Sequence, residues 1–188
     1  MTLPSPALIG TAYFVSELLL SVTRRSRGEG FARQDQSTLR LIWIVIIASI
    51  VAGIYVARHW RGATLPHAVA FAWIGLVLFA LGILLRWWSI VVLGRFFTVD
   101  VTIAADHEVV ESGPYRWIRH PSYAGVLLAF VGFALTTGNW LALLVINIPI
   151  FATFLHRMRV EERALINGIG EPYVDYMRRT KRLVPFVY

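Results

Sequence analysis

Between Ser122 and Leu155 the chain carries no charged side chain. A helix crosses the hydrocarbon core of a bilayer with about 20 apolar residues, within a range of about 17–25. This block is therefore too long for one crossing. Gly138-Asn139, following Thr136-Thr137, interrupts it with turn-forming residues. The pattern predicts two helices, over residues 122–136 and 140–156, joined by a tight turn. Three more apolar stretches precede them: Ala7–Val22, which holds Glu17; Leu39–Ala57, with Arg40 at its edge; and Ala68–Leu85, which has no charge. The expected architecture is all-α and polytopic, with five transmembrane helices, the last two forming a tight helical hairpin.

The composition agrees. Of 188 residues 57% are hydrophobic and 15% charged, against about 25% charged in a soluble domain, and the mean hydropathy is +0.62. A formal net charge of +7 would point to nucleic acid in a soluble protein. Here the basic residues flank apolar spans, so contact with anionic lipid headgroups is expected, and no nucleic-acid partner. Arg24, Arg25, Arg27 and Arg33 follow the first span, only Arg58 and Arg61 the second, and Arg95, Arg116 and Arg119 the third. With a basic tail, this places the N-terminus outside and the C-terminus in the cytoplasm, together with residues 94–121. Met1–Pro6 carries no positive charge and no cleavage site is evident, so the first apolar stretch reads as a span rather than a secretory leader.

Several chemistries are excluded. There is no cysteine, hence no disulfide, thiolate metal site, iron–sulfur cluster or cysteine nucleophile; any thiol or thioether belongs to the substrate. The five histidines show no ligand spacing, so no metal is expected, and Walker, Gly-x-Ser-x-Gly and His-Glu-x-x-His motifs are missing. Glu17 and Arg86 are ionisable groups within spans, where charge is costly. The topology puts both toward the cytoplasmic side, able to pair; Arg86 before Trp87-Trp88 also fits an interfacial anchor, and a role in the functional site is the alternative.

Polar chemistry concentrates in two places. After an amphipathic stretch over residues 93–100 comes His107-Glu108-Val109-Val110-Glu111, then Gly113-Pro114-Tyr115-Arg116-Trp117-Ile118-Arg119-His120-Pro121-Ser122-Tyr123-Ala124-Gly125. Pro121 suits the first position of a helix, whose free N–H groups and positive dipole end favour an anion. The fifth span leads into Arg157, Arg159, Glu161, Glu162 and Arg163, then Gly170-Glu171-Pro172-Tyr173. If that helix continues, Arg157 and Glu161 share a face at i and i+4. Each motif alone is more often a juxtamembrane basic pair or a helix-stabilising ion pair.

In this order, GPYRWIRHPSYAG, a helical hairpin, RVEE and GEPYVDY resemble the isoprenylcysteine carboxyl methyltransferase family and the related phospholipid methyltransferases. The resemblance covers roughly residues 93–185. It implies methylation dependent on S-adenosyl-L-methionine, with a cytoplasmic cofactor pocket and a lipophilic substrate entering from the bilayer. Residues 1–66 would then be N-terminal transmembrane helices and 67–188 the catalytic core. Cofactor contacts carried over are Asp100 (weakly matched), His107, Glu108, Val109, Val110, Tyr115, His120, Pro121, Ser122, Tyr123 and Glu161. Arg157 matches the position that engages the substrate, and with Glu161 forms the expected catalytic pair.

The residue chemistry is compatible with these roles. His120 and the helix start suit the cofactor's carboxylate, Tyr115 and Tyr123 its adenine or sulfonium, and Glu161 its ammonium or hydroxyls. A carboxylate acceptor, already ionised at pH 7, needs no general base; an amine acceptor needs one, for which Glu161 or Glu162 is available. The leading expectation is O-methylation of a prenylated cysteine or similar thioether acid, with phospholipid N-methylation as the alternative. A sterol-type reductase using a nicotinamide cofactor has a related framework, but tends to carry Asn and Glu where this chain has Ser122 and Gly125. A scaffold without activity is the remaining alternative.

Overall fold

In a computed structural model the chain is described over residues 6–23, 37–97 and 108–185. The described residues form six α-helices: α1 (Pro6–Thr23), α2 (Ser37–His59), α3 (Ala68–Leu93), α4 (Pro121–Leu135), α5 (Trp140–Ile169) and α6 (Glu171–Arg179). The all-helical expectation holds. Spans of Thr38–His59, Ala68–Phe96 and Trp140–Ile169 are long and apolar enough to cross a membrane. The apolar parts of α1 and α4 are shorter; α4, at 15 residues, is about 22 Å long, against a hydrocarbon core of about 30 Å.

Why these helices need a bilayer shows in α3. Its buried positions are Ala72, Gly75, Gly82, Ser89 and Ile90, whereas Val77, Leu84 and Val91 are more than half exposed. Small residues face the protein and large apolar ones face outward, the arrangement of helices that associate in lipid. On α2, Ile44, Ile47 and Val51 are likewise more than half exposed.

The small residues let α3 and α4 meet backbone to backbone. A Cβ placed at Gly132 would lie 2.5 Å from the Gly75 carbonyl oxygen, and one at Gly125 would lie 2.6 Å from that of Gly82. On the other side of the core, α2 lies along α5, with Gly53 opposite Ile146. Ile42, Ile46, Val126, Phe130, Ile146 and Ile150 fill the centre. Tyr13 of α1 reaches Phe130 with ring centroids 5.0 Å apart.

At one end of the bundle the α4–α5 turn closes as the sequence predicts. Gly138 takes φ +63°, and Asn139 caps α5 by accepting from the Ala142 N–H at 2.9 Å. The Asn139 Nδ2 also donates to the Trp60 carbonyl at 2.9 Å, and the Leu65 N–H to that of Gly138 at 2.8 Å. The α2–α3 connection is thereby fastened to the hairpin turn.

Two boundaries differ from expectation. The third helix runs to Leu93 rather than residue 85, so Arg86 sits inside it. The fifth continues to Ile169, through Pro149. An apolar stretch marks the lipid-facing part of a helix, whereas its end is set by backbone chemistry, here Gly94 at φ +59° and Gly170 at φ +76°.

Candidate active site

The opposite end of the bundle gathers the polar motifs. Pro121 opens α4, preceded by a short 3₁₀ turn over Gly113–Arg116. The intervening backbone pairs with the chain's end: the Arg119 N–H donates to the Lys181 carbonyl at 2.7 Å, and the His120 N–H to the Arg182 carbonyl at 3.0 Å. Tyr176 of α6, whose own side chain is buried, donates its hydroxyl to the Tyr115 carbonyl at 2.6 Å.

Glu162 is the hub of this end. Its carboxylate accepts from Arg119 Nε at 3.1 Å and from Arg182 Nη2 at 2.7 Å, and lies 3.2 Å from His120 Nε2. Arg119 also donates to the carbonyls of Met177 and Thr180. With Glu162 and His120 only 5% and 3% exposed, this network is screened little by water. It ties α5, the α4 start and the C-terminal segment into one unit.

One residue earlier, Glu161 points elsewhere. Tyr123 donates its hydroxyl to Glu161 Oε2 at 2.6 Å, a charge-assisted bond of the stronger class. The Tyr123 ring stacks on His120 (centroids 5.5 Å apart, planes at 20°) and touches Phe154 at 5.3 Å. Arg157 is buried and close enough to interact with the same Tyr123 hydroxyl. Burial pushes the Tyr115 phenol far above its usual range, with the Glu161 charge adding to it. Tyr173 is raised in the same way by burial, then by Glu161 and Glu162. Both remain neutral hydroxyl groups at physiological pH.

Beneath this cluster lies a third arrangement. Arg86 donates through Nε and Nη2 to both oxygens of Glu17, at 2.5 and 2.6 Å. Through Nη1 it donates to Ser122 Oγ at 3.1 Å. The two ionisable residues singled out within spans are thus a two-pronged pair reaching the first turn of α4.

The structure brings Tyr115, His120, Pro121, Ser122, Tyr123, Arg157 and Glu161 to one end of the bundle. Glu108 is exposed and Val109 and Val110 half-buried, in the irregular segment ahead of Gly113. Asp100 and His107 lie outside the described residues. Glu162, Arg119 and Arg182 are the members whose place in the network sequence reasoning missed. Adjacent glutamates diverge on a helix, so RVEE sends one carboxylate to Tyr123 and the other to the tail. Arg182 reads in sequence as one more headgroup-facing base.

The donor set suits S-adenosyl-L-methionine. A carboxylate (Glu161), stacked aromatic faces and a proline-started helix end occupy one place, matching its ammonium, its adenine or sulfonium, and its carboxylate.

The model of the isoprenylcysteine carboxyl methyltransferase (ICMT) family matches residues 73–167. Protein-S-isoprenylcysteine O-methyltransferase B of Arabidopsis thaliana is 33% identical over 146 residues, 75% of this chain and 68% of that one. Protein-S-isoprenylcysteine O-methyltransferase of Tribolium castaneum is 32% identical over 116 residues, 61% of this chain but 41% of its own length. Among solved structures, the eukaryotic intramembrane Ras methyltransferase ICMT superposes with a TM-score of 0.65 at 26% identity, over 82% of this chain and 55% of that chain. This chain therefore spans between about two fifths and two thirds of these relatives.

Proposed function

Because the chain belongs to the isoprenylcysteine carboxyl methyltransferase family, we propose that it methylates the carboxylate of a prenylated cysteine or a similar lipophilic thioether acid, using S-adenosyl-L-methionine. The observation that carries this reading is the convergence of Glu161 and Arg157, one turn apart on α5, on Tyr123 at the start of α4. The five apolar helices are read as five spans, with the N-terminus outside and the site on the cytoplasmic face. Residues 1–66 then buttress a catalytic core over 67–188.

The cofactor, when bound, supplies an electrophilic methyl group. Glu161, Tyr115, Tyr123, His120 and the α4 start at Pro121 and Ser122 would hold it, with Glu108, Val109 and Val110 on the covering segment; Asp100 and His107 belong to the same proposed set. Arg157 orients the acceptor carboxylate through its guanidinium fork. That carboxylate is ionised at pH 7, so no side chain has to accept a proton. Glu162, surrounded by Arg119, His120 and Arg182, is already engaged and ill-suited to act as a base. Catalysis reduces to orientation and exclusion of water, which supplies up to about 7–11 kcal/mol in well-aligned systems. The acceptor, being lipophilic, reaches the site from the bilayer.

The test is incubation of detergent-purified protein with labelled S-adenosyl-L-methionine and two acceptors, a farnesylated cysteine analogue and phosphatidylethanolamine. Label is expected in the former alone. Label only in the lipid reassigns the acceptor, and binding of a nicotinamide cofactor instead removes the methyltransferase reading.

A further inference from the structure

The Glu17–Arg86 pair calls for an explanation that stability does not supply. Its side chains are only 9% and 11% exposed, and withdrawing two charges from water costs several kcal/mol per ion. Well-packed apolar residues in such a place are often as stable or more so. Arg86 alone would serve as an interfacial anchor and would need no partner on α1. What the pair adds is direction. A guanidinium is a rigid plane, and two of its nitrogens, Nε and Nη2, are fixed on the Glu17 carboxylate. The third, Nη1, is then aimed at Ser122 Oγ.

We propose that Glu17 and Arg86 form a brace that fixes the first turn of α4 in the position from which it receives the cofactor, so that α1 belongs to the catalytic unit. Three observations support it. A second tie lies directly beside the first: Trp87 Nε1 donates to Ser16 Oγ at 2.8 Å. Two adjacent bonds set the register of α1 against α3. Next, α3 and α4 touch through backbone at Gly82 and Gly125, where a Gly125 Cβ would lie 2.7 Å from the Arg86 nitrogen. A shift of Arg86 is therefore felt by α4 without slack. Finally, Arg86 is near enough to Tyr115 and Tyr123 to interact electrostatically with both. Glu17 neutralises a cation that would otherwise stand unbalanced near the residues proposed to hold a cationic cofactor. Arg86 and Glu17 are positioning residues, acting through Ser122 and the helix start. Glu17 lies outside the residues that match the family. The proposal rests on the methyltransferase reading only for the identity of the cofactor.

The test uses the full chain in nanodiscs, with Arg86→Lys as the main variant. Lysine keeps the charge opposite Glu17 but has no planar fork to hold Ser122 as well. Amide hydrogen exchange over residues 122–126, compared with residues 128–134 of the same helix, reads the brace without any ligand. Calorimetry with S-adenosyl-L-methionine reads its consequence. Arg86→Lys is expected to speed exchange in the first turn selectively and to raise the cofactor Kd about tenfold. In a Ser122→Ala background the same substitution should add nothing, because the path runs through Ser122. Unchanged exchange in the first turn overturns the brace, whatever the cofactor result. Faster exchange with an unchanged Kd, or effects of the two substitutions that multiply, removes its link to the site. Absence of cofactor binding by the unmodified protein refutes the methyltransferase reading instead, and the exchange pattern still decides the brace.

Discussion

Substituting Gly125 by alanine tests whether helix spacing governs the site. The added Cβ would lie 2.6 Å from the Gly82 carbonyl oxygen, 2.7 Å from the Arg86 nitrogen and 3.1 Å from the Arg86 Cα. Ordinary contact begins at 3.4 Å, so α3 and α4 must part by about 0.8 Å. All three obstructing atoms are backbone and cannot rotate away. Overpacking of this kind costs about 1–3 kcal/mol; the gain in helix propensity from glycine to alanine returns at most about 1 kcal/mol. A net destabilisation of about 1–2 kcal/mol is expected. The displacement also stretches the 3.1 Å contact between Arg86 Nη1 and Ser122 beyond hydrogen-bonding range. A misplacement of about 1 Å can cost about 10²-fold in turnover, so activity should suffer more than stability does. Thermal unfolding in detergent and methyl transfer to a farnesylated cysteine analogue measure the two effects. Gly10→Ala is the control: nothing lies within 4 Å of its Cβ position, so it should leave the midpoint unchanged or raise it. A Gly125→Ala protein with unaltered midpoint and turnover would refute the claim that backbone contact sets the spacing of α3 and α4.

Other substitutions address the site and its supports. Arg157→Ala should lower methyl transfer by about 10²–10³, the usual loss for one preorganised donor, while calorimetry finds the cofactor Kd nearly unchanged; a large loss of cofactor affinity would move Arg157 into the cofactor set. Tyr123→Phe removes the 2.6 Å bond to Glu161, worth about 1.5–3 kcal/mol for a charged acceptor, and should weaken cofactor binding about tenfold or more, as should Glu161→Ala; unaltered binding in both would exclude this pair from the pocket. Glu162→Gln leaves Arg119 and His120 without their shared anion and should destabilise the fold by about 3–5 kcal/mol. Were it instead to fold normally and lose only turnover, Glu162 would be acting in the chemistry. Asn139→Ala deletes a helix cap, about 1 kcal/mol, and the bond to the Trp60 carbonyl, which keeps the Ala63 N–H at 3.2 Å, about 0.5–1.5 kcal/mol more; a denaturation midpoint equal to the unmodified protein's would mean that the hairpin turn closes without them.

The hairpin was legible in sequence because membrane helices and turns have strong local signatures. A charge-free block twice the length of one span, broken by Gly138-Asn139, leaves few alternatives. Pro121 likewise marks the start of α4 by its missing N–H and fixed φ. Helix ends inside polar sequence are less legible, since α3 and α5 continue past their apolar stretches until glycines stop them. The glycines of α3 and α4 were visible as residues, yet their role was not. Spacing within one helix does not say which second helix will press against it.

The site divides along the same line. The sequence by itself offered Arg157, Glu161, His120 and Tyr123 as candidates through the family resemblance their ordered motifs carry, and those motifs are legible because a motif and an i, i+4 face are local properties. Only the tertiary structure decided that Glu161 and Glu162 part company, one held by Tyr123 and the other by Arg119, His120 and Arg182. It also settled the fate of the two charges within the spans. Glu17 and Arg86 stand 69 residues apart in sequence, and sequence leaves anchoring, pairing and a role in the site all open. Packing of α4 against α3 and of α1 on α4 brings Glu17, Arg86 and Ser122 within bonding distance. The physical reason is general: propensity, hydropathy and turn chemistry act over a few residues, whereas partner choice among buried charges depends on which helix faces meet.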